Sequence, residues 1–178
     1  MEILNKQPGI KYGIIGGLAV VFYFAIFWQL DKAWFIHPGV QWSSLAIYIA
    51  CMYKAAQDDY AQHGIARDFR ALLREPFIAF LLINLCYWLF YYAIHLADPG
   101  LLQMEFNMQL AYLKEQLTSG VGDPQQANQL REQIGELERA MARPAPQPLG
   151  PVVMRMAVGA IGGAALAAGI AAWLRSRA

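Results

Sequence analysis

Charged residues are few in this chain. They fill 15% of its 178 positions, where a soluble domain carries about 25%. The shortfall is concentrated in a few long apolar runs, which is the pattern of a membrane protein. No cluster of adjacent Lys or Arg occurs and the formal net charge is only +1, so the electrostatic footprint of a nucleic-acid binder is missing. Two cysteines, Cys51 and Cys86, both lie inside apolar runs. That placement favours small inert apolar residues over a disulfide or redox pair.

Signatures of chemistry are just as sparse. H-E-x-x-H, C-x-x-C and G-x-S-x-G do not occur. Two glycine-rich words do, GIIGG from Gly13 to Gly17 and GAIGG from Gly159 to Gly163. Neither follows a strand or carries the Lys-Ser/Thr of a phosphate-binding loop. Asp58, Asp59 and His63 would set a carboxylate and an imidazole on one helical face. With no third partner they read as a solvated surface, not a metal site. His95 and Asp98, three residues apart, read as a capping or interfacial pair. No catalytic, cofactor-binding or metal residue is assigned.

What the chain does contain is apolar length. A helix needs about 20 apolar residues to cross a bilayer. Runs at about 12–30, 76–97 and 152–174 meet that need, and a shorter one at about 40–57, with Ser43 and Ser44 early in it, lies between two of them. The fold class expected is an all-α membrane bundle of four spans. The first run ends FWQLDKAWF, without the small residues of a cleavage site, and reads as an uncleaved anchor. Lys6, Lys11, Lys54, Arg67, Arg70, Arg74, Arg175 and Arg177 crowd short segments on one side. Lys32, Lys114, Arg131, Arg139 and Arg143 are spread along the other. This asymmetry places both termini in the cytoplasm. Trp28, Trp34, Trp42, Tyr91, Tyr92 and Trp173 fall near span ends, the depth that amphipathic rings favour.

Two segments between the spans carry their own pattern. In residues 65–75, Ile65, Phe69, Leu72 and Leu73 recur at helical spacing, with Arg67, Arg70 and Arg74 on the rest of the wheel. This predicts a short interfacial helix whose arginines reach lipid phosphates, bent off at Gly64 and ended at Pro76. In residues 99–142, Phe106, Leu110, Leu113 and Leu117 form one stripe, and Ala127, Leu130, Ile134, Leu137 and Met141 another. The break SGVGDPQQ between them, with Asp123 as N-cap and Pro124 in the first turn, predicts an outer antiparallel helical hairpin.

The glycine words read as packing surfaces. Gly13/Gly17 and Gly159/Gly163 each space two small residues one turn apart, and Ala165/Gly169 extends the second stripe, so neighbouring backbones can approach closely. With the first and last spans antiparallel, Gly159/Gly163 should lie level with Phe24 to Phe27, and Gly13/Gly17 level with Gly169 to Trp173. The alternative is a homodimer through the last helix. Asn84, at mid-bilayer depth, should face another helix.

The order of these features resembles a family of four-span bacterial membrane proteins catalogued only as a domain of unknown function. The likeness covers nearly the whole chain. It rests on a Lys-Tyr-Gly opening (Lys11 to Gly13), the segment YKAAQDDYAQHGIARDFRALL after the second span, and a long helical insert before a Gly/Ala-rich last span. It departs at Glu75-Pro76, where a glycine is common, and in an alanine-rich last helix. The resemblance implies a bacterial inner membrane and four helices, and brings no activity or site residues with it. The function expected is a non-enzymatic accessory or interaction subunit, with membrane lipids as partners and a protein partner at the outer hairpin. The alternative is a small transporter or channel with Asn84 in its path.

Overall fold

The computed structural model describes residues 7–64, 68–119, 124–142 and 149–176. Among these residues every regular element is helical and no strand occurs. In chain order the helices are α1 (Pro8–Leu30), α2 (Lys32–Ile36), α3 (Pro38–Ser43), α4 (Leu45–His63), α5 (Phe69–Ala97), α6 (Gly100–Thr118), α7 (Pro124–Met141) and α8 (Leu149–Ser176). Three of them, α1, α5 and α8, are long and apolar enough to cross a membrane. At 1.5 Å per residue even α1 reaches ~35 Å, beyond the ~30 Å of a hydrocarbon core. The chain divides into two compact units, Met1–Tyr92 with Leu149–Ala178, and Ala93–Pro148.

In the first unit α1 begins with Pro8 in its first turn, where a missing N–H costs nothing. It stops at Asp31, whose backbone is extended and whose carboxylate accepts the Ala33 N–H at 2.9 Å, opening α2. His37 repeats the device: Nδ1 accepts the Gly39 N–H at 3.1 Å, and Pro38 starts α3. These caps satisfy backbone donors that a helix end otherwise leaves open.

The run at about 40–57 is therefore not one helix. It is divided at Ser44, between α3 and α4. Ser43 Oγ donates to Val40 O at 3.0 Å and Ser44 Oγ to Gln41 O at 2.7 Å, the local competition with helical bonding that serine offers. Beyond Ala56, α4 carries Asp58, Asp59 and His63, so it is not among the three helices apolar enough to span. It ends at Gly64, whose φ of 73° only glycine adopts freely.

A second expectation also changes. Pro76 does not separate an interfacial helix from a span, because a single helix of 29 residues runs from Phe69 through it. Pro76 is fully buried, and Glu75, Ala79 and Phe80 beside it are buried too. Packing on both sides holds the helix where proline alone would bend it. Ile65, Ala66 and Arg67 lie outside the described residues.

The core of this unit comprises Val20, Phe24, Phe35, Met52, Ala55, Ala79 and Ile83, all fully buried. Away from it, Ile14, Leu18, Phe22, Ile26 and Leu30 step by four residues down one exposed face of α1. In the second unit α6 and α7 pack on one another, with Lys114 Nζ donating to Glu138 Oε1 at 2.9 Å. Asp123 and the rest of residues 120–123 lie outside the described residues.

Candidate functional site

The residues singled out in the sequence meet in the first unit along α5, which presents one face to α1 and another to α8. Gly13 sits against Leu82 and Gly17 against Cys86. A Cβ on either would lie 2.7 Å from Leu82 Cδ1 or Cys86 Sγ. Gly163 lies under the Phe80 ring, with no room for a Cβ. Gly159 faces Asn84, at 3.5 Å from Oδ1 to where its Cβ would be. Gly169 is exposed and has nothing within 4 Å of that position.

The partner of the glycine words thus differs from the expected one. Gly159/Gly163 do not lie opposite Phe24 to Phe27, nor Gly13/Gly17 opposite Gly169 to Trp173; both words meet α5. The reason is steric. On α5, Ala79, Leu82, Ile83 and Cys86 line the side toward α1, and Phe80 and Asn84 the side toward α8. Each flat glycine surface receives side chains from this one helix. Two further glycines, Gly9 and Gly16, have the same character. A Cβ on Gly16 would stand 2.8 Å from Ile83 Cγ1 and 2.9 Å from Cys51 Sγ. The signal was present in the sequence, since Gly9, Gly13, Gly16 and Gly17 fall on one side of the helix.

Asn84 is buried, and its Nδ2 donates to Met156 O at 3.1 Å. Polar groups at the end where α1 starts are paired as closely. Glu75 Oε2 accepts the Gly9 N–H at 2.7 Å, so a carboxylate from α5 closes the first turn of α1, where the helix dipole favours negative charge. Tyr12 OH donates to Asp58 Oδ2 at 2.8 Å, with Lys11 Nζ at 3.9 Å. Asp59 is buried and pairs with His63 Nδ1 at 3.0 Å. Of the three residues noted as a metal candidate, Asp59 and His63 therefore meet, while Asp58 turns to α1. Among the described residues no group of three His, Cys, Asp or Glu could hold a metal. Arg70 and Arg74 are exposed, with Arg74 Nε at 3.9 Å from Glu75 Oε1; Arg67 lies outside the described residues.

At the other end of α1 lies a second polar and aromatic cluster, of which the sequence singles out only Tyr91, by its place near a span end. Tyr23 OH lies 2.7 Å from Ser43 Oγ. Tyr87 OH donates to Gln41 Oε1 at 2.6 Å, and Gln41 Nε2 donates to Phe35 O at 2.9 Å. Phe35 stands edge-on to Phe24 at 5.9 Å and stacks with Tyr91 at 6.3 Å. In this way α2 and α3 fold back beside the last turns of α1, with Phe35, Ile36 and Val40 buried and Trp34 and Trp42 exposed.

In the second unit His95 Nε2 pairs with Glu105 Oε1 at 3.2 Å. On α7 the residues Ala127, Leu130, Ile134, Leu137 and Met141 are all half-buried, whereas Asn128, Gln129, Arg131, Glu132 and Gln133 are exposed. On α6 Phe106, Leu110 and Leu117 are half-buried and Leu113 is buried. Chemically, the polar groups named above pair with one another within each unit. No family model, no curated protein and no solved structure matches the chain.

Proposed function

We propose that this chain is a bacterial inner-membrane protein of four spans with both termini in the cytoplasm. It acts without catalysis, as an accessory or interaction subunit, through an outer hairpin formed by α6 and α7. The observation that carries this reading is a contrast in coverage. Polar groups of the first unit are closed on each other, while the apolar stripe of α7 stays half open.

The fourth crossing would be made by α3 and α4 together. Tyr12 meets Asp58 at one end of α1, and Tyr23 meets Ser43 eleven residues on, so α4 runs antiparallel beside α1. Its apolar part, Leu45 to Ala56, is ~18 Å long. The folded-back α2 and α3 would make up the remaining depth, with Phe35, Ile36 and Val40 turned into the core. Lipid would cover Ile14, Leu18, Phe22, Ile26 and Leu30. Arg70 and Arg74 would lie at the phosphate level. The resemblance to an uncharacterised four-span bacterial family agrees with this topology. Asn84, engaged with a backbone carbonyl, supports a packing role over a transport path.

Thiol labelling tests the topology. In a background lacking Cys51 and Cys86, cysteines at Gln7, Gln62 and Ser176 should be protected from an impermeant reagent in intact cells. One at Ser119 should react. Labelling at Gln62 with protection at Ser119 inverts the topology. For the role, a photo-cross-linker at Tyr112 should capture a protein. Transport in proteoliposomes that is lost in Asn84→Leu would replace this reading with a transporter.

A further inference from the structure

We infer that His37 is an acid-released latch on the segment that folds back at the end of α1. Two side chains hold the turns of this segment. Asp31 Oδ1 accepts the Ala33 N–H at 2.9 Å, and His37 Nδ1 accepts the Gly39 N–H at 3.1 Å. In each case the acceptor stands two residues before its donor, but the two acceptors answer acid differently. A carboxyl group keeps lone pairs for such a bond whether or not it is ionised. An imidazole nitrogen accepts only while it carries no proton. Once protonated, Nδ1 points a hydrogen at the hydrogen of Gly39. Histidine is also the side chain that ordinarily changes charge between about pH 5 and pH 8.

The direction of the effect follows from this chemistry. The closed turn excludes a proton from Nδ1 and the open turn admits one, so protons favour the open form. The latch therefore holds at the upper end of that range and releases as the pH falls. Few charges stand near enough to oppose this. His37 is exposed, and the Gly39 N–H is its hydrogen-bond partner. Among the elements packed with α3, α2 brings Lys32 and, at its cap, Asp31, which is engaged with Ala33. Charge is absent from α1 after Lys11, from α4 before Lys54, and from α5 between Arg74-Glu75 and His95. The titratable groups that meet α3 are the hydroxyls of Tyr23 and Tyr87.

What the latch holds is the start of α3. Pro38 and Gly39 open it, and Val40 behind them is buried. Gln41 comes next, accepting from Tyr87 OH at 2.6 Å and donating to Phe35 O at 2.9 Å. Opening the turn loosens Gln41, and with it the tie from α3 to α5. The preceding helix α2, closed by Asp31, stays folded. Acid thus frees one of two adjacent turns and leaves the other.

The test follows hydrogen–deuterium exchange of residues 39–44 in the full chain in detergent, at about pH 8 and about pH 5.5, either side of the ordinary histidine range. His37→Asn keeps an acceptor that does not titrate, and His37→Ala removes the acceptor. Comparing forms at the same pH cancels the pH dependence of exchange itself. Wild type should match the Asn form at the higher pH and exchange roughly fivefold faster than it at the lower. The Ala form should exceed the Asn form by roughly the same factor at both. Residues 33–36, closed by Asp31, should show no such change. Three results overturn the inference: wild type tracking the Asn form at both pH values, wild type tracking the Ala form at both, or residues 33–36 loosening as much as 39–44. Unchanged helicity checks that each form folds. Should the Asn form be loose at the higher pH, His37→Asp supplies an acceptor of the Asp31 kind in its place. If that form is loose as well, the turn does not depend on this acceptor and the latch falls.

Discussion

Gly163 on α8 lies beneath the Phe80 ring, whereas Leu130 and Ile134 on α7 remain half-covered. Both sites belong to helices with a regular stripe, and the difference lies in what each stripe asks of its neighbour. In the first unit the stripes are small residues set against large ones from α5, so contact is close. Among the described residues, Trp28 Nε1 is the only buried side-chain nitrogen or oxygen without a hydrogen-bond partner. In the second unit the stripes are mostly Leu, with Phe106, Ala127, Ile134 and Met141, and all but the buried Leu113 stay half-covered. Small-to-large packing closes the first unit more tightly than these stripes close the second.

The comparison is tested hardest at the glycines. Gly163→Leu should destabilise the protein by about 3 kcal/mol, because the new side chain must displace Phe80, which itself packs on Tyr48. The same change at Gly169 should leave the melting temperature in detergent unchanged or slightly raised, since that site is open and leucine favours helix over glycine. Equal effects at the two sites would erase the distinction between closed and open faces of α8.

A smaller effect is expected at Asn84. Asn84→Leu removes the bond to Met156 O, and interhelical side-chain bonds in membranes contribute about 0.6 kcal/mol on average. A loss near 1 kcal/mol in unfolding would match the geometry. Gly159→Ala should sharpen this, since its methyl would stand 3.5 Å from Asn84 Oδ1, an ordinary contact, and so should cost less than Gly163→Ala.

The smallest effect belongs to the second unit. Lys114 and Glu138 are each about half exposed, and an exposed ion pair contributes under ~0.5 kcal/mol. Glu138→Ala should leave thermal unfolding nearly unmoved. A loss as large as that of Gly163→Leu would mean that the two units do not differ in the way described.

Much of the architecture was legible. The lengths and apolarity of α1, α5 and α8 mark them as membrane-spanning candidates, and five of the six half-buried residues of α7 are those of its stripe. The rest needed three dimensions. Residues 40–57 read as one helix because apolar periodicity does not register Ser43 and Ser44 turning back to their own backbone, or Tyr23 reaching Ser43. Pro76 read as a boundary because proline weakens an isolated helix, and only the surrounding burial of Glu75, Ala79 and Phe80 shows why this helix continues. Nothing in the sequence connects Glu75 to the first turn of α1, 66 positions away.

The sequence by itself determined what each segment is: helical, apolar or polar, small-striped or leucine-striped. These properties depend on a residue and its neighbours within a few turns, and they survive in any arrangement of the helices. Tertiary structure alone decided which helix meets which. Each glycine word was expected to meet bulky residues of the other's helix, yet both face α5, because a flat surface takes whichever bulky side chains stand opposite it, and only the packed bundle specifies those. The closed flank of α6 and α7 was decided in the same way, by a lysine and a glutamate 24 residues apart that meet only after the chain has turned back on itself.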